Sequence, residues 1–150
     1  MKKELSVSAI KEGTVIDHIP STVTLKVVDI LDLKGVRSII SIATNLSSKK
    51  MGKKGIIKIG GKDLTKEEVD KIGLIAPDAT VNIIKNYGVK EKIKVAIPST
   101  INKIIKCSNP NCITNNEKVI TKFYVLNKAP LKIKCHYCER NMDKEDISLL

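Results

Sequence analysis

The sequence predicts an α+β chain in two domains, residues 1–97 and 98–150. Two features carry that expectation. Across the first part, apolar residues switch between strand and helix spacing in the order strand, helix, strand, strand, helix, strand, with one further strand added. That order is a ferredoxin-like βαββαβ sandwich whose helices should cover one sheet face. All four cysteines lie in the second part, after a break at Ile97-Pro98-Ser99-Thr100 where the apolar pattern pauses. With β-rich runs between its cysteine pairs, this part reads as a small all-β four-cysteine zinc domain.

Each element has a local cause. Thr14–Ile19 is a β-branched run closed by Pro20, hence a strand. Val23, Val27, Ile30 and Leu31 recur at helical spacing, predicting a helix over Ser21–Leu33 that Gly35 stops. Val36–Ala43 reads as the second strand. Ile56–Ile59, set between Gly55 and Gly60-Gly61, reads as the third, with Asn45–Lys54 as a polar connection. Thr65-Lys66-Glu67-Glu68 has the form of a capping box, in which a hydroxyl and a carboxylate satisfy backbone donors at a helix start. Val69, Ile72 and Ala76 give that helix its apolar stripe, and Pro77 lies past its end. Thr80–Lys85 and Lys90–Ile97 are two more strands, joined by a turn at Asn86-Tyr87-Gly88. Many functions share this fold, so the fold assigns none.

The strongest chemical signal is Cys107-x4-Cys112, then 22 residues, then Cys135-x2-Cys138. Each pair suits a tight knuckle whose two thiolates face one tetrahedral ion, and strands at Val119–Val125 and Leu131–Ile133 would bring the knuckles together. Four thiolates close the coordination sphere and leave no position for water or substrate, so one Zn²⁺ per chain would be structural. A module this small buries too little surface to fold alone, and metal binding would supply much of its folding free energy. Disulfides are the alternative, disfavoured where thiols stay reduced. His136, between the second pair, reads as a solvent-facing knuckle residue.

The charge balance narrows the partners. Lys and Arg number 27 against 16 Asp and Glu, a formal net charge of +11. A zinc-ribbon nucleic-acid-binding protein is therefore the alternative reading. Against it stand only two arginines, Arg37 and Arg140, with one Phe, three Tyr and no Trp to stack on bases. No apolar run approaches the roughly 18 residues that span a bilayer, and no signal-peptide core follows Met1-Lys2-Lys3. A cytoplasmic chain without membrane or nucleic-acid partners is expected. Gly-x-Ser-x-Gly and His-Glu-x-x-His are both missing. Gly55–Asp63 fails as a phosphate loop because Gly61 stands where the lysine should be. No catalytic residue is expected. Lys54, Lys58 and the alternating Lys90, Lys92 and Lys94 are point charges suited to a small anion, though a solvated lysine face is the simpler reading. Asp17-His18 is an unusual polar pair inside a strand.

Ala9-Ile10-Lys11-Glu12-Gly13-Thr14-Val15-Ile16-Asp17-His18-Ile19-Pro20 closely resembles the N-terminal signature of the aspartate carbamoyltransferase regulatory chain family. The likeness continues through Met51-Gly52-Lys53-Lys54, Ile57-Lys58-Ile59, Ala76-Pro77-Asp78-Ala79-Thr80-Val81-Asn82 and Asn86-Tyr87. It ends at Asn111-Cys112-Ile113 and Cys135-His136-Tyr137-Cys138-Glu139. The resemblance spans essentially the whole chain and implies a non-catalytic regulatory subunit. Its N-terminal domain would bind CTP or ATP as allosteric effectors and pair with a second regulatory chain. Its zinc domain would dock a catalytic chain. The implied assembly is a dodecamer of two catalytic trimers and three regulatory dimers, acting in pyrimidine biosynthesis.

Carried over by resemblance, Lys92, with His18 and the stretch from Val7 to Ala9, would face the triphosphate. Asp17 and Lys58 would approach the ribose and base edge. Ile10, Asn82, Ile84, Tyr87 and Val89 would surround base and sugar, with Lys54 near the same pocket. Lys90 and Lys94 would remain ordinary surface. Asn111 and Glu139, beside the knuckles, would contact the catalytic chain. Gly88-Val89-Lys90-Glu91, the basic Ser47–Lys50 loop and the Asn141–Leu150 tail depart from the family pattern.

Overall fold

The computed structural model describes residues 9–150. The chain divides into two compact units after Ala96. The first holds strands β1 (Gly13–Pro20), β2 (Ile40–Ser48), β3 (Gly52–Gly60), β4 (Thr80–Lys85) and β5 (Gly88–Lys94), with helices α1 (Thr24–Ile30) and α2 (Lys66–Ile75). The sheet order is β2-β3-β1-β4-β5, with every neighbouring pair antiparallel. The first four strands follow the ferredoxin-like order, and β5 is added beside β4.

One sheet face makes the core. Thr14, Ile16, Ile57, Ile59 and Val81 point into it beneath Val27 and Leu31 near α1 and Ile72 and Ile75 of α2, all of them buried. Thr65 starts α2 through the predicted reciprocal cap, Thr65 Oγ1 accepting from the Glu68 N–H while Glu68 Oε1 accepts from the Thr65 N–H. Helix α1 seats on β3 at Gly55, where any Cβ would collide with the Thr24 side chain. Gly13, at φ +139°, is similarly dictated, since a Cβ there would meet the Ile59 carbonyl.

Several boundaries differ from expectation. The Ser21–Leu33 helix is a 3-10 turn at Ser21–Val23 followed by the shorter α1, and Leu31 is already extended. The second strand starts later and runs further, to Ser48. The polar stretch Asn45–Lys54 is therefore mostly a β2–β3 hairpin. Polar alternation at a sheet rim resembles a loop in sequence, because both faces of an overhanging hairpin meet water. Strand β5 ends at Lys94. Val95 and Ile97 are buried outside it, with the Val95 N–H bonded to the Ala79 carbonyl.

The second unit contains β6 (Thr100–Asn102), β7 (Ile105–Lys106), the single helical turn α3 (Ile113–Asn116), β8 (Lys122–Lys128), β9 (Leu131–Cys135), β10 (Asn141–Asp143) and β11 (Ser148–Leu149). One sheet runs β10-β9-β8-β6, and β11 pairs with β7. Phe123, Ile101, Ile105, Ile133 and Met142 fill its core. The Asn141–Leu150 tail thus supplies two strands. The Val119–Val125 strand is displaced to β8, because its start pairs with β6 at Asn102 and its end runs on to Lys128 in a hairpin with β9 across the turn at Ala129-Pro130.

Candidate functional site

The cysteine pairs converge as their spacing predicts. Cys107 and Cys112 flank a loop in which the Asn109 carbonyl accepts the Cys112 N–H. In the second knuckle the Cys135 carbonyl accepts the Glu139 N–H. Asn115 ties the first knuckle by donating to the Cys107 and Asn109 carbonyls. All four sulfurs lie within 4.8 Å of one another. Cys107 Sγ is 3.6 Å from Cys138 Sγ, and Cys112 Sγ is 3.8 Å from Cys135 Sγ. A tetrahedral ion bound to sulfur at about 2.3 Å requires sulfur separations of about 3.8 Å, whereas a disulfide brings them to about 2.05 Å. The four free thiols therefore fit a metal and not two disulfides.

The metal-free thiols are held unequally. Burial pushes Cys107 up to about 12 and also raises Cys135. Burial acts the same way on Cys138, but hydrogen bonds from the Arg140 backbone and the Asn109 side chain outweigh it and hold that thiol at about 7. Cys138 is accordingly the thiolate available first. Asn111 and Glu139 are exposed on the two knuckles, Glu139 at φ +63°. His136 is turned outward, its Nδ1 2.6 Å from the Tyr124 hydroxyl.

In the first unit the expected ligand residues gather on the sheet face opposite the helices. The pairing register sets Lys58, Val15, Asn82 and Lys92 in one row across β3, β1, β4 and β5. Directly opposed residues in antiparallel strands share a face, so both lysines and the asparagine project from the same side. Val15, Lys58 and Asn82 are half-buried and Lys92 is exposed. Ile84 and Val89, a cross-strand pair, lie on this face towards Gly13.

A β-bulge explains Asp17-His18. Ile16 pairs with Ile57 but Ile19 with Gly55, so β1 carries one extra residue, and His18 takes φ +59°. Asp17 supports this left-handed residue by accepting its backbone N–H at 2.6 Å. The Asp17 carboxylate also pairs with Lys54 at 2.9 Å, and His18 Nδ1 lies 3.1 Å from Thr80 Oγ1. Ala9, Ile10 and Tyr87 stand at the other end of the face, lining a cleft of about 680 Å³ with Ile39 and Ser41. The Val7 assignment lies outside the described residues.

Sequence reasoning missed part of the His18 end. There a cleft of about 410 Å³ is lined by His18, Thr80 and Lys92 and also by Lys50, Asp78 and Lys94. The Lys92–Lys94 alternation pointed to the last of these. It does not extend to Lys90, because β5 has its own extra residue between Val89 and Glu91.

Residues 5–96 match the family model described as aspartate carbamoyltransferase regulatory chain, allosteric domain, and residues 99–148 match the metal binding domain of the same chain. The chain belongs to this family. It is 60% identical over 146 residues to the aspartate carbamoyltransferase regulatory chain of Pyrococcus horikoshii, covering 96% of each chain. It is 58% identical to that of Pyrococcus furiosus over 96% of each. The regulatory chain of Bacteroides fragilis is 49% identical over 149 residues, covering 99% of this chain and 97% of the other. Regulatory chains are the non-catalytic, allosteric subunits of an enzyme of pyrimidine biosynthesis, and the four-cysteine cluster falls inside the metal-binding match. The full-length match displaces the nucleic-acid reading of the basic charge. Among the described residues no helix is long and apolar enough to cross a membrane.

Proposed function

We propose that residues 1–97 bind CTP and ATP at one site on the helix-free sheet face, and that residues 98–150 dock the catalytic chain. The observation that carries the first half is the cross-strand row Lys58–Val15–Asn82–Lys92, which joins two cations and an amide across four strands. The triphosphate lies at the end bearing His18 and Lys92. Asp17, Lys54 and Lys58 line the middle, and Ala9, Ile10, Ile84, Tyr87 and Val89 receive sugar and base. Two ligands in one site oppose each other only if each prefers a different state of the assembly, with couplings typically of about 1–3 kcal/mol.

Zn²⁺ is the ion for the four thiolates, because a closed sulfur set at tetrahedral spacing suits a redox-inert ion that holds structure. It would fix the two knuckles and so present Asn111 and Glu139 to the catalytic chain. Pairing of two regulatory chains uses β2. As a sheet edge it carries no charged residue from Ile40 to Ser48, and the adjoining Ile39 is 76% exposed. The opposite edge, β5, carries Lys90, Lys92 and Lys94, the usual guard against edge pairing. Three such pairs would link two catalytic trimers in the cytoplasm.

Calorimetric titration of the zinc-loaded chain with CTP, with ATP as competitor, tests the site. Saturable, mutually exclusive binding that Lys92→Ala weakens is expected. Absence of binding, both to the isolated chain and in the presence of catalytic subunit, would overturn it.

A further inference from the structure

We propose that Thr114 is a positioning residue of the metal centre, its hydroxyl holding the Cys112 sulfur by a hydrogen bond and so slowing loss of the ion. The proposal rests on the metal reading above and names a side chain, outside the four ligands, on which retention depends. Four thiolates around one divalent ion leave excess negative charge, and Cys107, Cys112 and Cys135 are buried. Sulfurs out of reach of water need donors from the protein itself. The chain supplies them two residues beyond each cysteine. The Asn109 main chain serves Cys107, the Tyr137 main chain serves Cys135 and the Arg140 main chain serves Cys138. At Cys112 the donor two residues on is the Thr114 hydroxyl, 3.2 Å from the sulfur.

Local structure explains the exception. Cys112 is the N-cap of α3, with an extended backbone at ψ 141°, and no main-chain N–H of that helix bonds its side chain as an N-cap normally allows. Its sulfur is turned instead towards Cys135 Sγ, 3.8 Å away. Helical side chains lean back towards the N-terminus, which brings the hydroxyl of Thr114, the second residue of α3, over Cys112. The carbonyls that a threonine hydroxyl could take here are already served. Asn116 Nδ2 donates to those of Pro110 and Cys112, and Asn115 Nδ2 to those of Cys107 and Asn109. Cys112 is 1% exposed, so water does not replace this bond when it is lost. Main-chain donors survive substitution of their side chains, whereas the donor to Cys112 is itself a side chain and can be removed without touching a ligand.

The test compares the zinc-loaded wild-type chain with Thr114→Val, which keeps the shape, and Thr114→Ser, which keeps the hydroxyl. Zinc affinity, read by chelator competition, should fall roughly ten- to a hundredfold in Thr114→Val through faster release, and recover in Thr114→Ser. Loading with Co²⁺ in place of zinc gives a readout that packing alone does not move. A sulfur without its hydrogen bond gives up charge more readily, so the sulfur-to-metal charge-transfer band should shift to lower energy in Thr114→Val and stay in place in Thr114→Ser. Unchanged affinity in Thr114→Val, equal losses in both variants, or a loss without the band shift overturns the proposal and leaves the metal site standing. If Thr114→Val takes up no metal, Thr114→Ser decides: uptake upholds the role of the hydroxyl, and no uptake overturns it. A wild-type chain that binds no zinc overturns this proposal together with the metal reading.

Discussion

Removing the metal by chelation under reducing conditions should unfold the second unit and spare the first. The second unit, Ile97–Leu150, has five large side chains with essentially no exposure: Phe123, Ile101, Ile105, Ile133 and Met142. Cores of domains this small rarely supply more than about 3–5 kcal/mol after conformational entropy is met. A structural zinc site supplies about 10–16 kcal/mol at neutral pH. The sulfur pairs at 3.6 and 3.8 Å also lie at the spacing of ligands around one tetrahedral ion, which would tie the two knuckles together. The metal term is the larger, so the empty unit should lose most of its stability. Hydrogen exchange with mass spectrometry reads both units in one sample. Amides of β8 and β9 should lose protection by more than about a thousandfold, equivalent to about 4 kcal/mol. Amides of β1 and β4 should be unchanged, and association with catalytic chains should disappear. Protection of β8 and β9 that survives complete metal removal would falsify the structural role, because the apolar core alone would then hold the fold.

Other perturbations separate the parts. Lys58→Ala should weaken CTP binding by about tenfold or more with zinc content unchanged, measured by calorimetry and metal analysis. Thr65→Ala removes half of the α2 capping box and should cost about 1 kcal/mol, seen by calorimetry as a fall of about 4–8 °C in the melting of the first unit. Zinc affinity should rise with pH. Cys107, held at about 12, and Cys135, also raised, keep their protons in the metal-free fold and must release them. The affinity should therefore climb by at least a hundredfold per pH unit across this range, and most steeply below the Cys138 value of about 7. Pulsed chelator competition from pH 6 to 9 checks this, and a flat profile contradicts it. Ile39→Lys places a charge beside the uncharged β2 edge and should shift the regulatory pair towards monomer in sedimentation, with the fold retained.

The helices and inner strands were legible because one physical signal dominates each of them. The α2 cap is a four-residue pattern with a single hydrogen-bonding solution, and the Ile57 and Ile59 alternation has one buried side. The cysteine cluster was legible for a related reason, since its ligand spacing encodes knuckle geometry directly. The hairpin that overhangs the first sheet was not. Asn45–Lys54 buries little, so its period-2 pattern carries no apolar signature and resembles a loop. Strand β8 starts later than expected because its start is set by pairing with β6, where Lys122 opposes Asn102, and not by the first β-branched residue of the run.

The ligand face shows where sequence periodicity stops being sufficient. Alternation would send Asp17 and His18 to opposite sides of β1, and Lys90, Lys92 and Lys94 to the same side of β5. Each expectation fails at a bulge, because one extra residue resets the faces of everything beyond it. In β1 the bulge lets Ile16 and Ile19 both reach the core while the polar pair between them stays out of it, with Asp17 accepting the His18 N–H and pairing with Lys54. In β5 it keeps Val89 opposite Ile84 while removing Lys90 from the period that relates Lys92 to Lys94. The arrangement of this face is thus set by two bulges, whose positions depend on neighbouring strands. Resemblance identifies which residues to examine. The sheet register then supplies the physical reason that Lys58 and Lys92, distant in sequence, stand in one row.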